Sequence, residues 1–243
     1  VITGEILSLE DRETRDIALP ISGKKIVIRE GDGYSTRALL KKNKRIYDSV
    51  FDYLASMVVT IDDRPNISRS DVLKLLTPDQ EFLSIEAYRL NYGDDFEFEF
   101  SCPSCDAESD QIVNLTKLTF IELSKELTGP DPIINITLPK SKKTAVVGML
   151  TGEKELDLLM LAATTGPDIN QASFKALRAL DGEIDFSFED VIVLPLADHK
   201  AIRKARKKLI CGYDTNISVT CPKCEESFVM NILVHRDFLL PAG

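Results

Sequence analysis

The sequence has no tryptophan, only two histidines, and 7% aromatic residues in 243. A chain so poor in imidazole is short of the side chain that most often does acid–base chemistry near neutral pH. No apolar run approaches the ~20 residues that a membrane-spanning helix needs. The opening Val1-Ile-Thr-Gly-Glu lacks the charged and apolar regions of a signal peptide, and it also lacks an initiator Met. A soluble, cytoplasmic product is expected, starting at or just inside the encoded N-terminus. Basic charge is in deficit as well: 39 acidic against 30 basic residues leave a net charge of −9. That balance argues against a chain whose main task is to wrap DNA or to lie on anionic lipid.

Catalytic motifs are missing too. Gly31-Asp-Gly33 has neither the following glycine nor the Lys-Ser/Thr of a phosphate-binding loop. There is no His-Glu-x-x-His and no nucleophile elbow. The acidic pairs Asp62-Asp63 and Asp94-Asp95 sit in turn contexts, where Asp satisfies backbone donors. We therefore expect no enzyme and no small-molecule substrate.

What is present is a repeat. Cys102-Pro-Ser-Cys105 and Cys221-Pro-Lys-Cys224 are offset by 119 residues, and the same offset superposes Asp71-Val72-Leu73 on Asp190-Val191-Ile192 and Gly93 on Gly212. It also superposes Leu19-Pro20 on Leu138-Pro139 and Leu39-Leu40 on Leu158-Leu159. A chance match loses register over a hundred residues, so about 12–121 and 131–240 read as two copies of one unit. Two copies are too few for a solenoid. The expectation is an α+β chain made of two pseudo-twofold halves, 1–128 and 129–243, meeting near Gly129-Pro130-Asp131-Pro132.

Each copy is read in the same order. Strands at Ile17–Pro20 and Ile26–Ile28 have counterparts at Ile134–Leu138 and Ala145–Val147. A helical face over Ser49–Thr60 is matched with one over Glu153–Ala163. Ser70-Asp71 is read as the cap of a short helix, and Thr77-Pro78 as the start of a second that ends near Gly93. Phe96-Glu-Phe-Glu-Phe100 alternates as a half-buried strand should and leads into Cys102. Ile217–Thr220 leads likewise into Cys221, and further strands follow at Gln111–Leu115 and Phe228–Ile232.

Two thiolates two residues apart on a hairpin turn supply half of a tetrahedral metal site. With one knuckle per copy, Cys102, Cys105, Cys221 and Cys224 are expected to share one structural zinc ion, in the manner of a zinc ribbon. Disulfides or a redox pair are the alternative, disfavoured because a thioredoxin-type cysteine sits at a helix N-terminus. Cys211 reads as a small hydrophobe, and His199 and His235 as surface or packing residues.

The helix before each knuckle carries opposite charge in the two copies. Asp79, Glu81, Glu86 and Arg89 give one a net of −2, while Asp198, Lys200, Arg203, Lys204, Arg206, Lys207 and Lys208 give the other +5. The exposed face is thus expected to have changed sign, with Lys200, Arg203, Lys204 and Lys207 as a candidate protein-docking face. No aromatic residue interleaves the basic stretch, as a base-stacking surface would need.

The order helix, alternating strand, Cys-Pro-x-Cys, strand, followed by a second Cys-Pro-x-Cys, an apolar strand and Phe238-Leu-Leu-Pro241, resembles the baseplate proteins of T4-type contractile-tailed phages. Leu138-Pro139 is similar to that family as well. The resemblance implies a component or assembly factor of the tail baseplate hub. It would act through contacts with other baseplate proteins in a hetero-oligomeric assembly, in the virion or in the host cytoplasm during assembly. It carries over the four cysteines and no catalytic residue. The alternative is a zinc-ribbon nucleic-acid-binding or transcription-associated factor using the basic helix 199–208.

Overall fold

The computed structural model describes residues 12–40, 46–127, 129–232 and 236–240. It is a mixed α+β structure of short helices and several small antiparallel sheets. Strands β1 (Thr14–Ala18) and β2 (Lys25–Arg29) form a hairpin. Gly23 closes its turn at φ 69°, in the left-handed region that glycine enters without strain. Helices α1 (Gly33–Leu39) and α2 (Ile46–Met57) follow. Strand β3 (Val58–Ile61) returns onto β2, and β4 (Arg64–Pro65) completes a sheet of order β1-β2-β3-β4.

Helix α3 (Arg69–Leu73) starts in a capping box: Ser68 takes the Asp71 N–H, and the Asp71 carboxylate takes that of Ser68. Helix α4 (Thr77–Tyr92) begins with Pro78, whose missing donor costs nothing there, and stops at Gly93, φ 89°. The hairpin of β5 (Asp95–Ser101) and β6 (Glu108–Asn114) carries the first knuckle, and β7 (Phe120–Ile121) ends this part of the chain.

Beyond residue 129 come β8 (Ile133–Thr137), β9 (Thr144–Gly148), α5 (Gly152–Thr165), α6 (Ile169–Ala176) and β10 (Leu177–Leu180). They are followed by α7 (Phe188–Ile192), α8 (Leu196–Lys207), β11 (Gly212–Tyr213), β12 (Asn216–Thr220), β13 (Ser227–Asn231) and α9 (Arg236–Leu239). Several of these start 119 residues after an element of the first part: β8 after β1, β9 after β2, α5 after α1, β10 after β3, α7 after α3, α8 after α4, and β13 after β6. The Ser187–Asp190 capping box follows Ser68–Asp71 at the same offset.

Polar details keep the same spacing. Asp79, on α4, accepts the backbone N–H groups of Ile21 and Ser22 at 2.9 and 3.0 Å. Asp198, on α8, accepts those of Lys140 and Ser141 at 2.8 and 2.9 Å. Each buried carboxylate thus pins the turn of a β-hairpin to the first turn of a helix, where the helix dipole also favours negative charge.

Two expectations need correction. The helix read as Ser49–Thr60 ends at Met57, because the β-branched run Val58-Val-Thr-Ile61 leaves it as a strand paired with β2. Its positional counterpart is α6, ending 119 residues later at Ala176, whereas the helix over 153–163 belongs to α5 and corresponds to α1. The short third helix is capped by Ser68 and not by Ser70, with Asp71 as the reciprocal partner.

Two apolar cores lie side by side. One gathers Ile26, Ile28, Leu54, Met57, Leu83 and Tyr88, and it is completed by Ile232, Phe238 and Leu239 from the chain end. The other gathers Leu138, Val147, Ala176, Leu177, Val191 and Ile202, and it takes in Ile21, Leu76 and Leu123 from the first part. Each buried Phe or Leu so exchanged contributes roughly 1.5–3 kcal/mol of burial free energy.

The packing between the two parts is one-sided. The α3–α4 loop docks on the segment before α5: Thr77 N–H donates to the Leu150 carbonyl at 3.0 Å and Gly152 N–H to the Leu75 carbonyl at 3.1 Å. Strand β11 pairs with β7, and Tyr213 sits between Phe82 and Phe120. Helix α4 is consequently enclosed by α2, α5, α9 and β11, while its counterpart α8 shows a full face to solvent.

Candidate metal centre

The alternation of Phe96, Phe98 and Phe100 turns Phe96 and Phe100 inward and leaves Glu97 and Glu99 exposed. Phe96 meets the rings of Tyr88 and Phe238, and Phe100 meets Phe228 of β13 edge-on at 5.6 Å. These contacts bring the two hairpins alongside one another.

Each hairpin closes in the same way. Cys102 N–H donates to the Ala107 carbonyl and Asp106 N–H to the Cys102 carbonyl, both at 2.9 Å. Cys221 and Glu225 repeat these bonds at the same length. The residue after each second cysteine is left-handed, Asp106 at φ 55° and Glu225 at 60°. This conformation turns the chain back so that both sulfurs of a knuckle face one side.

The four sulfurs converge. Cys102 Sγ lies 3.6 Å from Cys224 Sγ, Cys105 Sγ lies 3.8 Å from Cys221 Sγ, and all four fall within 4.8 Å of one another. A tetrahedral ion with sulfur bonds of ~2.3 Å requires an S···S edge of about 3.8 Å. A disulfide requires ~2.05 Å, and all five cysteines are free thiols. The donor set and its spacing therefore fit one tetrahedral metal ion.

Cys102 and Cys221 are buried, Cys105 is half-buried and Cys224 is exposed. The backbone N–H groups of Cys224 and Lys223 lower the Cys221 thiol below its ordinary value, while the neighbouring sulfurs of Cys105, Cys102 and Cys221 raise Cys224. With four protein ligands such a site has no open position for substrate.

The basic residues lie together on α8. Lys200, Lys204 and Lys207 are exposed, Arg203 is half-buried, and His199 packs inside. The expected contrast of exposed charge is corrected on the other helix, since Asp79 and Glu86 are buried and α4 has no comparable outer face. The two helices differ in enclosure more than in the sign of a shared surface. Cys211 packs on the second core, and burial, with Asp79 and Glu81 adding, pushes its thiol up to about 11. It is an inert packing residue. His235 lies outside the described residues.

Sequence reading did not bring Glu81 and Glu155 together, although they influence each other where α4 meets α5. Burial, reinforced by Glu155, pushes the Glu81 carboxyl up to about 7 despite a hydrogen bond from the Tyr213 N–H. Burial also raises Glu155. Nothing local marks two carboxylates 74 positions apart as neighbours.

With this geometry in hand, comparison with known proteins returns one family model, described as T4 bacteriophage base plate protein, which matches residues 12–238. No curated protein and no solved structure matches the chain. The chain belongs to the T4 bacteriophage base plate protein family.

Proposed function

We propose that this member of the T4 base plate family is a structural or assembly component of the tail base plate hub, acting through contacts with other base plate proteins. Its place is the virion tail, or the host cytoplasm during assembly. Cys102, Cys105, Cys221 and Cys224 hold one structural zinc ion that clamps residues 1–128 to residues 129–243, the two copies of a duplicated unit. The family match over 12–238 carries the role. The sulfur spacing supports the zinc, and the offset of 119 recurring in strands, caps and buried carboxylates supports the duplication.

A role as scaffold also agrees with the chemistry. A metal closed off by four thiolates supplies folding energy and no reaction. Function then falls to outer faces, and the exposed Lys200, Lys204 and Lys207, with the half-buried Arg203, make α8 the face that docks an acidic partner surface.

Metal analysis of the purified protein tests the site, with one zinc per chain expected. Two ions, or none under reducing conditions, would sink the shared site. Co-expression with the other base plate proteins tests the role. Co-purification that weakens when Lys200, Lys204 and Lys207 are changed to Glu supports it. Salt-sensitive DNA or RNA binding lost in the same variant would replace it with a nucleic-acid role.

A further inference from the structure

The chain carries the two mates of its own internal joint, both unused. Inside the molecule, the α3–α4 loop (Lys74–Thr77) docks on the start of α5 (Leu150–Glu153) through a Leu76–Thr151 bridge. Residues 119 positions from these are the α7–α8 loop (Val193–Leu196), whose Leu194 is buried, and the start of α1 (Gly31–Tyr34), whose Gly31 packs on Asn91, and each presents large apolar side chains to solvent. Val193 is 77% exposed, Leu196 84% and Tyr34 78%. Extending the internal-repeat reading above, we infer that the α7–α8 loop of one copy docks on the α1 start of a second copy of this chain, head to tail.

Three pairs of counterparts support that occupant. Lys74 and Glu153, one basic and one acidic, both line the cleft at the internal joint. Their counterparts Val193 and Tyr34 are both large apolar residues left in water, so the polar pair has become an apolar pair. Apolar surface on both mates drives an association that a soluble face would not need.

Glycine at the joint is the second pair. A Cβ on Gly152 would overlap the Gln80 amide, so a larger residue there would have to displace that amide from the Val72 and Leu75 carbonyls. At its counterpart Gly33, a Cβ would meet nothing within 4 Å, so the isolated chain does not require glycine. A second copy seated against α1 would.

The third pair is the residue that presses on the glycine. Gln80 spends its amide on the Val72 and Leu75 carbonyls at 2.6 and 3.2 Å. Its counterpart His199 is 3% exposed, and its Nδ1 has no hydrogen-bond partner among the described residues. A buried polar atom left so is costly, and it belongs to the residue that stands where Gln80 meets the internal joint.

A joint between two different surfaces leaves one mate free at each end, so association proceeds past the dimer or closes a ring. The test uses the full zinc-loaded chain in sedimentation over roughly 1 µM to 1 mM, the range of weak self-association. Mass rising from one chain towards two and beyond is expected. Tyr34→Asp alone and the double change Val193→Asp with Leu196→Asp alone should each stay monomeric with unchanged zinc content and circular dichroism. Mixed one to one, they should form a 1:1 dimer and nothing larger, because one intact mate remains on each. A wild type that stays monomeric throughout the range, or variants whose mixture stays monomeric, would overturn the proposal. Capture of a different protein by the wild-type loop without self-association would also overturn it.

Discussion

The carboxylate of Asp79 accepts the backbone N–H of Ile21 at 2.9 Å, and the Ile21 side chain is part of the core built mainly from residues beyond 129. The bond thus ties a helix of one part to a turn that feeds the other. Asp79→Asn keeps one acceptor oxygen for two donors, one buried and one half-buried. It should cost about 1–3 kcal/mol, the penalty of one unsatisfied buried group, read as a lower urea midpoint with unchanged slope.

Asp198 predicts the behaviour in acid. Burial would raise its carboxyl, but the Lys140 and Ser141 N–H groups outweigh burial and hold it below the usual carboxylate range. A depressed folded value means that this group's stabilisation is present above the unfolded pKa. It is lost as pH falls through the lower folded value. Stability measured from pH 5 to pH 2 should fall, and Asp198→Asn should flatten that fall.

Glu81 predicts the opposite slope. Its folded value of about 7 lies above the ordinary 4.5. Its contribution is therefore complete below the unfolded value and is lost as pH rises through about 7. The difference corresponds to roughly 3 kcal/mol. Glu81→Gln should gain stability relative to wild type at pH 8 and little at pH 4.5, measured by urea unfolding at both.

Cysteine replacements should separate by position. Cys102→Ser and Cys221→Ser remove buried ligands and should abolish zinc retention. Cys224→Ser, at the exposed rim, should leave a weaker site that a chelator strips faster. Cys211→Ala should keep full zinc content. Because the ligands are thiolates, acid should release the ion and lower the melting temperature together.

Gly152→Ala places a methyl group on the Gln80 amide and should destabilise the chain by about 1–3 kcal/mol, as overpacking does. Gly33→Ala, at the corresponding position in open space, should leave the melting temperature of the dilute chain unchanged or slightly higher. Differential scanning calorimetry on the two variants distinguishes them.

The features readable from the sequence were those with local causes. The alternation of Phe96, Phe98 and Phe100, the Pro78 start of α4 and the paired Cys-Pro-x-Cys turns each state their conformation within a few residues. The offset read from Cys102 and Cys221 then predicts much of the order of elements. The boundary after Met57 was hidden because Val58–Ile61 continues an apolar run and only pairing with β2 makes it a strand. The burial of α4 was hidden for a different reason. Its charges look exposable until Gly212–Tyr213 and α5 close over it, and those residues lie far along the chain.

The exchange of side chains between the two cores has a consequence for biosynthesis. Phe238 packs at a tilt against Tyr88 with ring centroids 4.8 Å apart, and with Leu239 it fills the core that holds Ile26, Leu54 and Leu83. A nascent chain leaves the ribosome from its N-terminus. The first core therefore waits, incomplete and with apolar surface uncovered, until Ile232, Phe238 and Leu239 emerge. Cys102 and Cys105 wait as well, since the sulfurs they meet, on Cys221 and Cys224, are made more than a hundred residues later. A product that stops short of Cys221 therefore has neither the closed first core nor the four-sulfur cluster.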